Sequence, residues 1–240
     1  MFEANPTIRR LGNEGVITNP LTFDGVVHRT GFLLLVTATT FAVTWRGLLT
    51  GAVPPAAGLI GALVGLGLAL LIIFTRATNP VLISAYGVTQ GVALGVISFY
   101  ANERYPGVAL QAVAGTIGCF ATVLALYSLR VLRATPTFVK VISAALLGIL
   151  ALYAVDLIAG LFGHPLEIVR GNSGVSIGIT AVIVLVAALS FVIDFAAIEQ
   201  AVNEGADARQ GWHFAFSLLV GLVWLYIEIL RLLTKLRGRD

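Results

Sequence analysis

Seven stretches of this chain are apolar enough to dissolve in lipid, with short polar breaks between them, and this pattern limits the fold more than any other feature of the sequence. They run over about residues 31–45, 56–74, 81–100, 108–129, 138–162, 175–198 and 212–233. At 1.5 Å per residue, a helix of about 20 residues crosses a hydrocarbon layer about 30 Å thick. Six runs reach or approach that length unaided, and the first is short but extendable at both ends. In lipid every backbone N–H and C=O must be satisfied internally, which leaves helices or a closed barrel. Barrel strands alternate apolar and polar residues, and continuous runs of this length do not. The fold expected is an all-α integral membrane protein, a bundle of seven transmembrane helices.

Composition agrees. Of 240 residues, 58% are hydrophobic and only 11% are Asp, Glu, Lys or Arg, against about 25% in soluble domains. So little charge cannot cover a soluble surface, and it excludes a disordered chain. The single cysteine, Cys119, excludes an intrachain disulfide framework and a thiolate zinc cluster. A net charge of +3 comes from basic residues scattered singly, which is membrane topology rather than a nucleic-acid surface.

The breaks carry helix-stop chemistry: Pro54–Pro55, Asn79–Pro80, Pro106–Gly107, Thr135–Pro136 and the polar stretch 203–210. None is long enough for a soluble domain, so the expected organisation is a polar segment 1–28 without a removable signal peptide, a transmembrane domain 29–236 and a tail 237–240. An inside N-terminus places Arg9, Arg10, Arg29, Arg76, Arg130, Arg133, Lys140 and Arg209 in the cytoplasm and Arg46, Arg104 and Arg170 outside. The tail residues Arg231, Lys235, Arg237 and Arg239 oppose that orientation. Glycines at four-residue spacing, Gly61 and Gly65 in the second span and Gly87, Gly91 and Gly95 in the third, mark faces where helices approach closely, as packing positions or as the wall of a narrow pathway.

Charges inside lipid cost several kcal/mol, so those that persist there are the first functional candidates. Asp156 lies in the fifth span, Asp194 and Glu199 in the sixth and Glu228 in the seventh. Arg76 closes the second span, and Arg231 follows Glu228 by three residues on one helix face. Asp194 and Arg76 come out at similar depth. A carboxylate beside a guanidinium stays ionised, and one beside another carboxylate holds its proton to higher pH. Asp194 alternating between Arg76 and Glu228 would make a proton-operated latch. The plain alternative is a static Asp194–Arg76 pair and an i,i+3 pair of Glu228 with Arg231. Asp156 and Glu199 are secondary candidates that fit a helix contact and an interfacial position.

These same spans carry a resemblance. Leu-Ser-Phe-Val-Ile-Asp-Phe at 189–195 and Val-Trp-Leu-Tyr-Ile-Glu-Ile-Leu-Arg at 223–231 resemble the last two helices of the Bax inhibitor family of transmembrane proteins. Gly-Val-Ala-Leu-Gly-Val-Ile-Ser from Gly91, Tyr-Pro-Gly from Tyr105, Gln-Ala-Val-Ala-Gly-Thr from Gln111 and Arg-Ala-Thr-Pro-Thr-Phe from Arg133 are similar to its bacterial, YccA-like branch. The resemblance, over about residues 20–237, implies a bundle with the last helix central and six around it that leaks calcium ions in a pH-dependent manner. It implies a proton-sensing acid pair on the last two helices, matched by Asp194 and, with glutamate in place of aspartate, by Glu228. These two would also be the transient calcium ligands, and Arg76 matches the latching arginine. No cofactor is implied beyond calcium as the permeant ion. The partners implied are the lipid bilayer, calcium ions and protons, without nucleic acid. No protein partner is specified, and a monomer is compatible with the sequence. The location implied is a bacterial plasma membrane.

Rival readings are a proton-coupled transporter of a small solute, for which no internal repeat is evident, and a regulatory membrane protein that transports nothing. A retinal photoreceptor lacks its mid-membrane lysine, since Lys140 and Lys235 lie at span ends. Gly-Asn-Ser-Gly at 171–174 suggests a serine protease with His213 as base, but the two residues start consecutive antiparallel spans on opposite faces. Ser173 reads instead as a helix N-cap.

Overall fold

A computed structural model describes residues 19–239. Among them are eight helices: α1 (Phe23–Leu49), α2 (Ala56–Thr75), α3 (Pro80–Arg104), α4 (Val108–Ser128), α5 (Pro136–Leu161), the short α6 (Glu167–Arg170), α7 (Gly174–Asn203) and α8 (Gln210–Arg237). All but α6 are long and apolar enough to span a membrane. The chain is an all-α membrane bundle. The first span is extended at both ends, beginning at Phe23 inside the stretch expected to be polar. Arg9, Arg10 and Glu14 lie outside the described residues.

Local chemistry explains the helix ends. The side chains of Thr22, Asn79, Thr135 and Ser173 accept from the backbone N–H groups that α1, α3, α5 and α7 leave unpaired, and Pro80 and Pro136 occupy first-turn positions where no N–H is required. Ser173 thus caps α7, the N-cap position read from the sequence. The turn at Gly107 takes φ 84°, a conformation that side chains resist.

The last helix is central. It carries the largest buried share of any span, with Leu219 and Leu225 fully enclosed, and packs against α1, α3, α4 and α7. Helices α2 and α5 stand outside this group, α2 against α3 and α5 against α7. Four helices, rather than six, therefore form the main packing shell of α8. One α5 side chain nevertheless reaches α8 through a hydrogen bond, described below.

The glycine stripes are packing faces. A Cβ on Gly91 would stand 2.6 Å from the Thr37 carbonyl oxygen and one on Gly95 2.9 Å from Thr44 Cβ, so α3 seats backbone to backbone on the threonine stripe of α1. Thr37 is buried there without penalty because its hydroxyl donates to Leu33 O at 2.9 Å. On the other side of α3, Gly58, Gly61 and Gly65 of α2 meet Val96, Thr89 and Gln90. Between α4 and α7, Phe120, Phe191 and Phe195 form edge-on and stacked pairs.

Candidate functional site

The intramembrane acids fall into two groups at different depths along α8. Near its N-terminal end, Asp194 of α7 accepts a hydrogen bond from the Ser217 hydroxyl at 2.8 Å. One turn earlier, His213 Nδ1 lies 3.4 Å from the carbonyl oxygen of Ala77, the residue after Arg76. Arg76 ends α2 in a left-handed conformation, φ 50° and ψ 39°. It lies at the same end of the bundle as Asp194, but among the described residues no ion pair joins them. The reason is the packing order: α2 lies against α3 rather than α7, and Arg76 stands exposed.

Glu228 lies deeper along the helix and is only 1% exposed. Its Oε1 accepts from the Tyr153 hydroxyl of α5 at 2.7 Å and from Trp224 Nε1 at 3.1 Å, and its Oε2 faces Arg231 Nη1 at 3.4 Å. Arg231 Nη1 also donates to the Tyr153 hydroxyl oxygen at 2.7 Å, and its guanidinium lies over the Tyr153 ring at 5.0 Å. The three groups form a closed network in which a buried charge is balanced by both a cation and neutral donors.

Asp194 and Glu228 are therefore apart. Ser217, which holds Asp194, precedes Glu228 by eleven residues, about 16 Å along a helix. The contact expected between these carboxylates does not form, and no close pair is available to bind one ion. Among the described residues no cluster of three His, Cys, Asp or Glu side chains has the arrangement to hold a metal ion.

The secondary candidates each have a partner. Asp156 is buried at the end of α5, where Arg170 Nε donates to both of its oxygens, at 2.9 and 3.2 Å, and Leu166 N–H donates at 3.0 Å. Glu199 accepts from the Tyr127 hydroxyl of α4. Several participants were not singled out by sequence: Ser217, Tyr153, Trp224, Arg170 and Lys235. Lys235, only 5% exposed, donates to Val169 O, Ser176 Oγ and Thr180 Oγ1 at 2.6, 2.7 and 2.9 Å. A signal for part of this set was present. Glu228, Arg231 and Lys235 follow the i, i+3, i+7 spacing of one helix stripe, and Tyr153 and Asp156 share a face of α5.

Seven spans with the last one central, acids on both final helices and an arginine closing the second are traits that the resemblance named. The family model described as Bax inhibitor 1 like matches residues 4–238, nearly the whole chain. Comparison with curated protein sequences gives no match. With the fold and the family match in agreement, the chain belongs to the Bax inhibitor 1 like family.

Proposed function

We propose that the protein is a passive, pH-sensitive leak pathway for calcium ions, lying in a bacterial plasma membrane with its N-terminus in the cytoplasm. The observation that carries this reading is Asp194: a carboxylate within a spanning helix, held by one hydroxyl and by no cation among the described residues. Gaining or losing a proton there changes both the local field and the hydrogen-bond pattern between α7 and α8. Arg76, at the same end, is the cation that the ionised carboxylate would capture if α2 shifted toward α7. Glu228 acts at its own level, with its charge set against Arg231 and Tyr153. The two acids thus work in series along α8 rather than as a dyad sharing one proton.

The test is calcium flux into liposomes that hold a trapped dye, from about pH 5 to 8. Wild type should conduct with a pH dependence that Asp194→Asn abolishes, and Arg76→Gln should change the flux level while leaving a pH response. Identical pH profiles for wild type and Asp194→Asn refute the sensing role. Zero calcium flux at every pH refutes the pathway and favours solute transport or a regulatory role without transport.

A further inference from the structure

At the C-terminal end of α8 a cavity of about 500 Å³ opens between α5, α6, α8 and Tyr105 at the end of α3, within the ~300–1,000 Å³ of ligand pockets. Three cations line it, Arg170, Arg231 and Lys235, against one carboxylate, Asp156. Asp156 is taken by Arg170, and Glu228 beneath is taken by Arg231. Lys235 has three neutral acceptors and no carboxylate among the described residues, so the wall carries a surplus positive charge. Donors are also left over. Both Nη groups of Arg170, and Nε and Nη2 of Arg231, bind no acceptor among the described residues, and Arg231 remains 35% exposed at its side chain. A surplus cation with two unused guanidinium edges suits a phosphate, which accepts forked hydrogen bonds from arginine.

Depth and surroundings indicate where that phosphate comes from. Arg231 is six residues before the end of α8, about 9 Å along the axis. A 28-residue helix is about 42 Å long and overshoots the hydrocarbon layer by about 6 Å at each end. Arg231 thus stands about 3 Å inside the hydrocarbon boundary and Lys235, two residues before the helix end, about 3 Å outside it, so the cavity spans the boundary between acyl chains and headgroups. Beside it the end of α5 presents Leu161 and Phe162, 80% and 78% exposed, and α7 presents Val175, 65% exposed, an apolar flank against which acyl chains can lie.

We propose that this cavity holds the phosphate headgroup of an anionic phospholipid, bound by Arg170 and Arg231 and favoured by the charge of Lys235. The inference does not depend on calcium conduction. It is tested by native mass spectrometry of the full-length protein, titrated separately with phosphatidylglycerol, phosphatidylcholine and free glycerol 3-phosphate. Phosphatidylglycerol should bind at least tenfold more tightly than phosphatidylcholine. Arg231→Gln should lower that affinity about tenfold, the size of one charge-assisted hydrogen bond. Because Arg231→Gln leaves Glu228 without its cation and risks misfolding, Arg170→Gln combined with Asp156→Asn provides a second variant that removes a guanidinium without leaving a carboxylate unpaired. It too should lose about tenfold. Equal affinity for the two lipids, or wild-type phosphatidylglycerol affinity in the folded double variant, overturns the proposal. Glycerol 3-phosphate binding as tightly as phosphatidylglycerol overturns the lipid assignment in favour of a soluble phosphate.

Discussion

Replacing Gly91 with alanine adds a single methyl group at the tightest point between α1 and α3. The new Cβ would stand 2.6 Å from the Thr37 carbonyl oxygen, 2.7 Å from Thr40 Cβ and 3.1 Å from Phe41 N. Two of these are backbone atoms, which cannot rotate away. Ordinary contact begins near 3.4 Å, so the helices must part locally by about 0.8 Å, enough to weaken dispersion contacts along the seam. Overpacking of this kind costs about 1–3 kcal/mol. Helix propensity pulls the other way, since alanine is favoured over glycine by up to about 1 kcal/mol. Gly67→Ala separates the two effects, because its Cβ would meet nothing within 4 Å. Reversible unfolding in bicelles, followed by steric trapping, should show Gly91→Ala less stable than Gly67→Ala by about 1–3 kcal/mol, with Gly67→Ala unchanged or more stable than wild type. Equal stabilities for the two variants would refute close backbone packing as the role of this stripe.

Three further outcomes follow from the polar contacts. Arg170→Gln strips the buried Asp156 of its cation and should cost about 1.5–3 kcal/mol, the worth of hydrogen bonds to a charged group; adding Asp156→Asn should recover part of this in the same unfolding assay. Lys235→Ala leaves the Val169 carbonyl and the Ser176 and Thr180 hydroxyls without their shared donor. Hydrogen exchange of residues 166–171 should then quicken at least several-fold while the amides of α3 remain unchanged. Tyr153→Phe removes one donor to Glu228 and the hydroxyl that Arg231 contacts. It should destabilise by about 0.5–1.5 kcal/mol, and loss of this coupling when Glu228→Gln is already present would confirm by a double-mutant cycle that the two act as one network.

What could be read from the residues divides by the range of the interaction. The spans were legible because lipid demands a continuous apolar run, and the helix starts because Asn79–Pro80, Thr135–Pro136 and Ser173 act within one turn of themselves. Glu228 with Arg231 was legible for the same reason, three residues apart on one helix. Asp194 with Glu228 was not, although its separation could have been counted. Helices α7 and α8 run antiparallel from the turn at 203–210. Asp194 lies nine residues before that turn and Glu228 eighteen residues beyond the start of α8, a mismatch of about 13 Å in depth. Counting from the shared turn pairs Asp194 with the first two turns of α8, where Ser217 is found. Arg76 shows the limit of such counting. Its depth follows from its place at the end of α2, but which helix α2 lies against depends on glycine faces that accept any neighbour of matching shape. The structure seats those faces on α3, one helix away from Asp194. A latch between Arg76 and Asp194 therefore requires α2 to move as a body, and cross-linking α2 to α3 through cysteines introduced at Gly61 and Val92, whose Cβ atoms would stand 3.3 Å apart, should reproduce the effect of Arg76→Gln, a changed flux level that still responds to pH.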